Sequence, residues 1–130
     1  MGSEMCIRDR DKRIVLVDDS IVRGTTIANL IHMLKEAGAK EVHVRISSPP
    51  FLHPCYFGTD VPSNDQLIAA SHSTEEICKM IGADSLGYMQ TDYLEGMAGG
   101  LPLCKACFDG NYPMEIPDYT NAEFADIVKC

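Results

Sequence analysis

A continuous apolar run that ends in two adjacent acids constrains this chain more than any other feature. Ile14 to Val17 is rich in β-branched residues and has no polar alternation, as is typical of a parallel strand buried on both faces. Asp18 and Asp19 end the run, and a short polar turn leads to Gly24. The apolar residues that follow recur with helical spacing and predict an amphipathic helix: Ile27, Leu30, Ile31 and Leu34.

The next segment completes a strand–helix–strand unit. Gly38 is placed to end the helix, and Val42 to Ile46 alternates apolar with polar residues. The alternation predicts a second strand with one face less buried than in the first strand. Because two parallel strands joined by a helix form a βαβ unit, the predicted fold class is α/β with a parallel sheet.

Beyond residue 46 the sequence predicts a long loop, three helices and one short strand. Capping-box patterns mark the start of the first two helices, and a threonine is placed to cap the third. In chain order these are the loop 47–62, helices that begin at Ser63 and Ser73, the strand 85–89, a helix from Thr91 through Met97, and a loop and tail from Leu103.

The number of elements sets the expected domain organisation. Two or three strands are too few for a parallel sheet with neighbours on both edges, and the first strand has the composition of a buried centre. We therefore expect the C-terminal part of a larger α/β domain at residues 12–118. Residues 1–11 show no periodicity and are interpreted as a disordered or foreign leader, and residues 119–130 as a tail.

Charge and hydropathy exclude two broad classes of function. The formal net charge is −8, which argues against a general nucleic-acid binder. No apolar run approaches the roughly 18 residues that a membrane-spanning helix needs. Eight of the eleven basic residues lie within residues 1–59, so phosphate chemistry is expected in that half. Because neither a secretory signal nor a disulfide framework is visible, the expected location is reducing and cytoplasmic.

The segment from Asp18 to Thr26 has the composition of a sugar-phosphate site. Carboxylates at the carboxyl end of a parallel strand lie where open α/β sheets bind ligands. Gly24-Thr25-Thr26 would place unpaired N–H groups and hydroxyls at a helix N-terminus. The same pattern also fits a nucleotide-hydrolase metal site, a phospho-acceptor aspartate, or a turn that merely caps a helix. Spacing leaves these alternatives open, although no glycine-lysine phosphate loop is present.

The six cysteines offer a second candidate site. Cys104 and Cys107 form a Cys-x-x-Cys pair, and Cys55 follows His53-Pro54 in the long loop. From spacing alone, structural zinc, a redox pair and an iron–sulfur cluster are all open, with His53 as a candidate fourth ligand. The other three cysteines, Cys6, Cys78 and Cys130, stand apart in the sequence. Cys78 lies inside a predicted helix and is interpreted as a packed thiol.

Six ordered segments carry a resemblance to a known family. In chain order they read VLVDDSIVRGTT, MLKEAGAKEVHVRISSPP, HPCYFGTD, LIAASHSTEEI, IGADSLGYM and CKACFDGNYP. Together they closely resemble the C-terminal third or so of the amidophosphoribosyltransferases, from about Lys12 to Asp118. The first segment resembles the phosphoribosyl-pyrophosphate (PRPP) signature of type I phosphoribosyltransferases. The resemblance implies a partial type I phosphoribosyltransferase fold followed by helices and a cysteine-containing C-terminal loop.

The resemblance implies a role for individual residues of the first segment. Asp18 and Asp19 match the acids that meet the ribose hydroxyls and the PRPP-bound Mg²⁺. The reaction implied converts PRPP, glutamine and water to 5-phosphoribosylamine, glutamate and pyrophosphate, the first step of purine biosynthesis. In it, ammonia attacks C1 of PRPP and pyrophosphate leaves. Five further residues match the loop that holds the 5′-phosphate: Ser20, Arg23, Gly24, Thr25 and Thr26.

The resemblance also implies cofactors and partners. Cys55, Cys104 and Cys107 match ligands of a 4Fe–4S cluster that one branch of the family carries, whose fourth cysteine lies upstream of the first strand. The family's glutaminase domain and pyrophosphate loop also lie upstream and have no counterpart here, so we expect the chain by itself to be inactive. The implied partners are PRPP, purine nucleotide inhibitors, the glutaminase domain and further subunits of a homo-oligomer. Nucleic acid and membranes are not among them.

Two other functions remain open at this point. One is a non-catalytic regulatory module that binds a nucleotide or phosphate with the same loop. The other is a small zinc-binding interaction domain built on the cysteines. Whichever applies, we expect the sulfurs of Cys55, Cys104 and Cys107 to converge to metal-binding range, with the last two as the closest pair.

Overall fold

The computed structural model describes residues 10–58, 61 and 63–116. Residues 1–9 and 117–130, on which most of the expected leader and the whole expected tail fall, lie outside the described part. In chain order the elements are β1 (Arg13–Asp18), α1 (Thr25–Glu36), β2 (Glu41–Ile46), a 3-10 turn (Asn64–Gln66), α2 (Ile68–Ser71), α3 (Thr74–Ile81), β3 (Ser85–Tyr88), α4 (Tyr93–Met97) and α5 (Ala106–Asp109).

The three strands form one parallel sheet in the order β1-β2-β3, which confirms the α/β prediction. Ile14 pairs with Val42 across β1 and β2, and Val44 pairs with Leu86 across β2 and β3. Because the strands run in parallel, their carboxyl ends meet at one edge of the sheet. That edge carries Asp18, the residue at which β1 ends.

The core lies between one face of the sheet and two helices. Val42 and Val44 of β2 are fully buried, and Ile31 of α1 and Ile77 of α3 are each 1% exposed. Burial of a side chain of this size stabilises the fold by about 1.5–3 kcal/mol. The apolar stripe predicted for α1 therefore faces the sheet as expected. Among the described helices, none is long and apolar enough to cross a bilayer.

The prediction that β1 is buried on both faces is wrong. Val15 and Val17 are 63% and 68% exposed, because in the described part of the chain β1 lies at the edge of the sheet and the helices cover its other face. The most buried strand is β2, so the expectation that it would be the less buried of the two is reversed. An apolar run reveals the propensity of a strand, whereas its burial depends on neighbours that the run does not specify.

Two of the sequence signals for helix ends agree with the structure. Gly38 follows α1 with a φ of 98°, and Ser73 forms the predicted capping box with Glu76 at the start of α3. The Ser73 N–H donates to the Glu76 carboxylate at 2.7 Å, and this hydrogen bond holds the pKa of Glu76 below its ordinary value. The strand predicted at 85–89 is β3.

Two predicted caps and one predicted loop differ from the structure. Ser63 makes no capping hydrogen bond; its hydroxyl bonds the Asp65 carboxylate, and a 3-10 turn followed by the short α2 replaces the predicted helix. Asp92, not Thr91, precedes the first residue of α4, and its side chain makes no capping hydrogen bond. The helix α5 falls in the segment predicted as loop. A short polar side chain that can cap a helix can also form a hydrogen bond with a neighbouring residue. The sequence pattern alone therefore does not determine whether a helix begins there.

Candidate functional site

An open cavity lies at the carboxyl end of β1. Its volume is about 630 Å³, and it is lined by the unbroken segment from Asp18 to Ile27. The segment leaves the strand at the two acids and enters α1 at Gly24. Every residue of the predicted sugar-phosphate loop lines this cavity: Asp18, Asp19, Ser20, Arg23, Gly24, Thr25 and Thr26.

The N-terminus of α1 lies at the cavity. The first N–H groups of an α-helix have no partner within the helix, and the aligned peptide dipoles make this end positive. No acidic residue lies in the first turn of α1 itself. Thr25 and Thr26 add hydroxyl donors at the same place. This part of the cavity is suited to an anion such as a phosphate monoester.

Gly24 lets the loop turn into α1 in little space. Its φ of 83° lies in the left-handed region that favours glycine. A Cβ at this position would stand 3.2 Å from Cδ1 of Ile68 and 3.5 Å from Cγ2 of Ile81. The glycine is therefore required both by the backbone conformation and by the side chains packed against it.

The two acids at the end of β1 also line the cavity. The Asp19 N–H donates to Asp18 Oδ1 at 2.9 Å, and the Ser20 hydroxyl donates to Asp19 Oδ1 at 3.1 Å. Ser47, just after β2, donates its N–H to the Asp18 carbonyl at 3.0 Å and holds the end of β1 in place. Carboxylate oxygens at this end can accept hydrogen bonds from sugar hydroxyls or coordinate a hard cation.

Arg23 also lines the cavity, and its guanidinium is bound by a residue that the sequence pattern did not assign to the site. Its Nη2 donates to Oε1 of Gln66 in the 3-10 turn. The sequence pattern assigned Gln66 to a capping box with Ser63, whereas the carboxamide instead reaches the loop. No signal in the sequence pairs two residues so far apart along the chain.

The predicted cysteine ligands line a second, smaller cavity. Cys55, Cys104 and Cys107 share a space of about 220 Å³ with Phe57 and Tyr112. Burial raises the pKa of the Cys107 thiol, and negative charge at the other two cysteines would raise it further. Within the described ranges, however, no three His, Cys, Asp or Glu side chains are grouped so that they could hold a metal ion.

Backbone and aromatic contacts hold this cavity together. The Cys107 carbonyl accepts hydrogen bonds from the N–H groups of Leu52 and His53 at 2.9 and 3.1 Å. The Tyr112 hydroxyl donates to the Pro54 carbonyl at 2.8 Å. These bonds connect the His-Pro-Cys loop with the Cys-x-x-Cys segment, about fifty residues later in the chain. Ring contacts between the same two segments support the arrangement: Phe51 with Phe108, and Tyr56 with Tyr112.

The remaining candidate ligands lie elsewhere or outside the described residues. His53 does not line the thiol cavity; its ring packs against Gly110, where an added Cβ would stand 2.9 Å from Nε2. Cys78 donates from its Sγ to the Ala83 carbonyl at 3.3 Å, in agreement with its interpretation as a packed thiol. Cys6 and Cys130 lie outside the described part of the chain.

The sequence is similar to one segment of several known enzymes. It is 59% identical over 104 residues to the amidophosphoribosyltransferase of Pyrococcus horikoshii, which is 80% of this chain and 23% of the relative. The corresponding enzyme of Bacillus subtilis is 52% identical over 114 residues, 81% of this chain and 23% of the relative. The chain therefore spans about a quarter of the length of the curated relatives it matches. No family model matches it.

Solved structures agree with the sequence comparison. The glutamine PRPP amidotransferase of B. subtilis, complexed with ADP and GMP, superposes with a TM-score of 0.80 and 48% identity. The match covers 88% of this chain and 26% of that one. A structure described as the allosteric regulatory enzyme of purine biosynthesis superposes with a TM-score of 0.73 and 49% identity, over 86% of this chain.

Proposed function

The chain corresponds to one segment of the amidophosphoribosyltransferases, and from this relationship we propose that it forms the part of such an enzyme that holds the ribose 5-phosphate half of PRPP. One observation carries the proposal. A single cavity at the carboxyl end of β1 is lined both by two carboxylates and by a helix N-terminus. A sugar phosphate presents hydroxyls and a dianion, so each kind of group has a partner of suitable chemistry in this cavity.

Each residue of the loop has a distinct task in this proposal. The N–H groups and hydroxyls of Thr25 and Thr26 bind the 5′-phosphate, and the Arg23 guanidinium adds a positive charge beside it. Ser20 holds the carboxylate of Asp19 in place. Asp18 and Asp19 accept hydrogen bonds from the ribose hydroxyls, which fixes the sugar ring relative to the phosphate.

The two acids also suit Mg²⁺, which prefers hard oxygen ligands. This ion is commonly bound by one or two carboxylates together with oxygens of the substrate. Two carboxylates at the cavity fit that pattern, and the described residues hold no third acid grouped with them. When bound, Mg²⁺ would offset the charge of the pyrophosphate leaving group. Asp18 and Asp19 would hold the ion, and the loop would keep the ribose in a fixed orientation.

The complete reaction is proposed for the longer enzyme of which this segment would form a part. In that enzyme ammonia released from glutamine attacks C1 of PRPP, and pyrophosphate leaves to give 5-phosphoribosylamine. The residues present here position the sugar and phosphate, while the ammonia source and pyrophosphate loop would come from elsewhere. Purine nucleotides are proposed as regulators, supported by the ADP and GMP named in the related complex.

The three cysteines are proposed as ligands of a 4Fe–4S cluster with a structural role. Their shared cavity and the contacts that close it support the proposal. The described residues do not complete such a site, since a cluster of this kind takes four thiolates and the cavity is lined by three. No step of the reaction is therefore assigned to it. A zinc site is less well supported, because His53 does not line the cavity.

A titration of the 130-residue chain with ribose 5-phosphate tests the proposed binding. The ¹⁵N–¹H NMR spectrum should change at Asp18 to Thr26, because the ligand occupies their cavity, and ribose without phosphate should bind far more weakly. Saturable shifts confined to the thiol cavity, or equal binding of ribose and ribose 5-phosphate, would contradict the assignment.

A further inference from the structure

The hydrogen bond between Arg23 and Gln66 connects two distant parts of the chain. Arg23 belongs to the loop after β1, and Gln66 is the last residue of the 3-10 turn, 43 positions later. Neither the sequence pattern nor the proposed function gives Gln66 a part in the site. The effect of this contact on Arg23, the arginine of the phosphate loop, therefore has to be derived from the geometry and chemistry of the two side chains.

The backbone that carries Gln66 is fastened to the phosphate loop independently of this bond. The Ile68 N–H donates to the Val22 carbonyl at 2.9 Å, and the Ile68 side chain packs against Gly24. Leu67 is 1% exposed. Because two buried residues follow it directly, Gln66 extends towards Arg23 from a fixed origin.

Arg23 lies between two neighbouring cavities, and Gln66 determines how it is oriented there. The first is the 630 Å³ cavity at the acids, and the second, of about 430 Å³, is lined in part by Gln66, His72 and Met80. Arg23 is the residue that lines both. A long, exposed arginine would sample many rotamers, so a hydrogen bond that it donates to a fixed acceptor restricts it to few of them.

The chemistry of the partner matters as much as its position. A carboxamide oxygen accepts a hydrogen bond from the guanidinium but leaves its positive charge uncompensated. The turn also carries an acid, Asp65, whose carboxylate is engaged by the Ser63 hydroxyl. The side chain that reaches Arg23 is thus the neutral one. With one N–H used by Gln66, the guanidinium keeps four further donors for an anion.

We propose that Gln66 is a positioning residue for the phosphate site, which orients the Arg23 guanidinium without neutralising it. The inference rests on the proposed function, because it takes the cavity from Asp18 to Ile27 as the site of the 5′-phosphate. In this proposal, part of the affinity of the site for the anion comes from an arginine that is restricted in its rotamers and keeps its full charge.

Two substitutions in the same turn test the proposal by titration of the 130-residue chain with ribose 5-phosphate. Gln66→Glu keeps the shape of the side chain and places a negative charge against Arg23. Asn64→Asp adds the same charge to the same turn without this contact and is the matched control. We expect Gln66→Glu to raise the dissociation constant about three- to tenfold and Asn64→Asp to raise it less than about twofold.

The salt dependence separates positioning from a structural role. In Gln66→Glu the affinity should depend less on salt, because Arg23 no longer contributes its full charge to the anion site. Gln66→Met, which keeps the length and removes the acceptor, should weaken binding while leaving the salt dependence unchanged. Equal effects of Gln66→Glu and Asn64→Asp would overturn the inference while the proposed function stands. Failure of the folded wild-type chain to bind ribose 5-phosphate would overturn the proposed function and the inference with it.

Discussion

Substitution of Gly24 by alanine should damage both the stability and the phosphate affinity of the chain. The residue has a φ of 83°, a conformation that costs a residue with a Cβ about 1–2 kcal/mol. The new Cβ would stand 3.2 Å from Cδ1 of Ile68, the end of a side chain that can shift its rotamer at a cost of about 0.5–1.5 kcal/mol. Together these give a loss of about 1.5–3.5 kcal/mol in the free energy of unfolding.

Two other glycines separate the causes. Gly82 has a φ of 75° and open space around it, so Gly82→Ala should cost the conformational part only. Gly96 lies within α4 at an ordinary φ with no neighbour within 4 Å, so Gly96→Ala should be neutral or slightly stabilising. Chemical denaturation measures the free energy of unfolding of the three variants. The ribose 5-phosphate titration should show weakened binding in Gly24→Ala alone. If Gly24→Ala costs no more than Gly82→Ala and binds the phosphate normally, the reasoning about the loop is wrong.

Three further predictions concern the loop, the capping box and the chain as a whole. Thr26→Ala should weaken ribose 5-phosphate binding by about 1–2 kcal/mol, the value of one hydrogen bond to a charged group, as measured by calorimetry. Because the folded pKa of Glu76 is lowered from 4.5, its capping contribution is present above that value and is lost as the pH falls through the folded pKa. The stability difference between wild type and Glu76→Gln should therefore shrink in acid denaturation curves, and a pH-independent difference would contradict the cause given. The 130-residue chain should form no 5-phosphoribosylamine from PRPP and ammonia and should not hydrolyse glutamine; measurable turnover in a product assay would refute this.

The features that could be predicted from sequence are those that local chemistry decides. The helical stripe of α1, the capping box at Ser73 and the parallel βαβ unit depend on residues a few positions apart, and the structure contains all three. The loop from Asp18 to Thr26 lines a single cavity for the same reason, since a strand end and the next helix start must lie close together. The three cysteines line one cavity, but among the described residues they are not grouped so that they could hold a metal ion. The expectation that their sulfurs converge to metal-binding range came from the family resemblance and is not confirmed.

The features that escaped prediction depend on contacts between distant parts of the chain. The exposure of Val15 and Val17 arises because the described helices pack against only the other face of β1, which an apolar run does not reveal. The role of Gln66 follows from its bond to Arg23 and from the contacts of Ile68 with Val22 and Gly24, whereas the sequence pattern favoured a cap. Contacts of this kind can be identified only from the tertiary structure, because many different partners can satisfy the hydrogen-bonding preference of one side chain.

The most direct test of the account exchanges the matching segment of the B. subtilis relative for residues 12–116 of this chain and measures PRPP-dependent formation of 5-phosphoribosylamine. The hybrid should be active, and Asp18→Asn with Asp19→Asn should raise its PRPP requirement and lower its turnover strongly, because amides cannot replace the charge that holds the ribose and its metal ion. Glu36→Gln with Glu41→Gln removes the same charge at the end of α1 and the start of β2, which lie at the opposite edge of the sheet from the loop, and should leave the kinetics unchanged. If the acid pair can be replaced with no change in PRPP kinetics, the cavity at the end of β1 is not the PRPP site and the account fails.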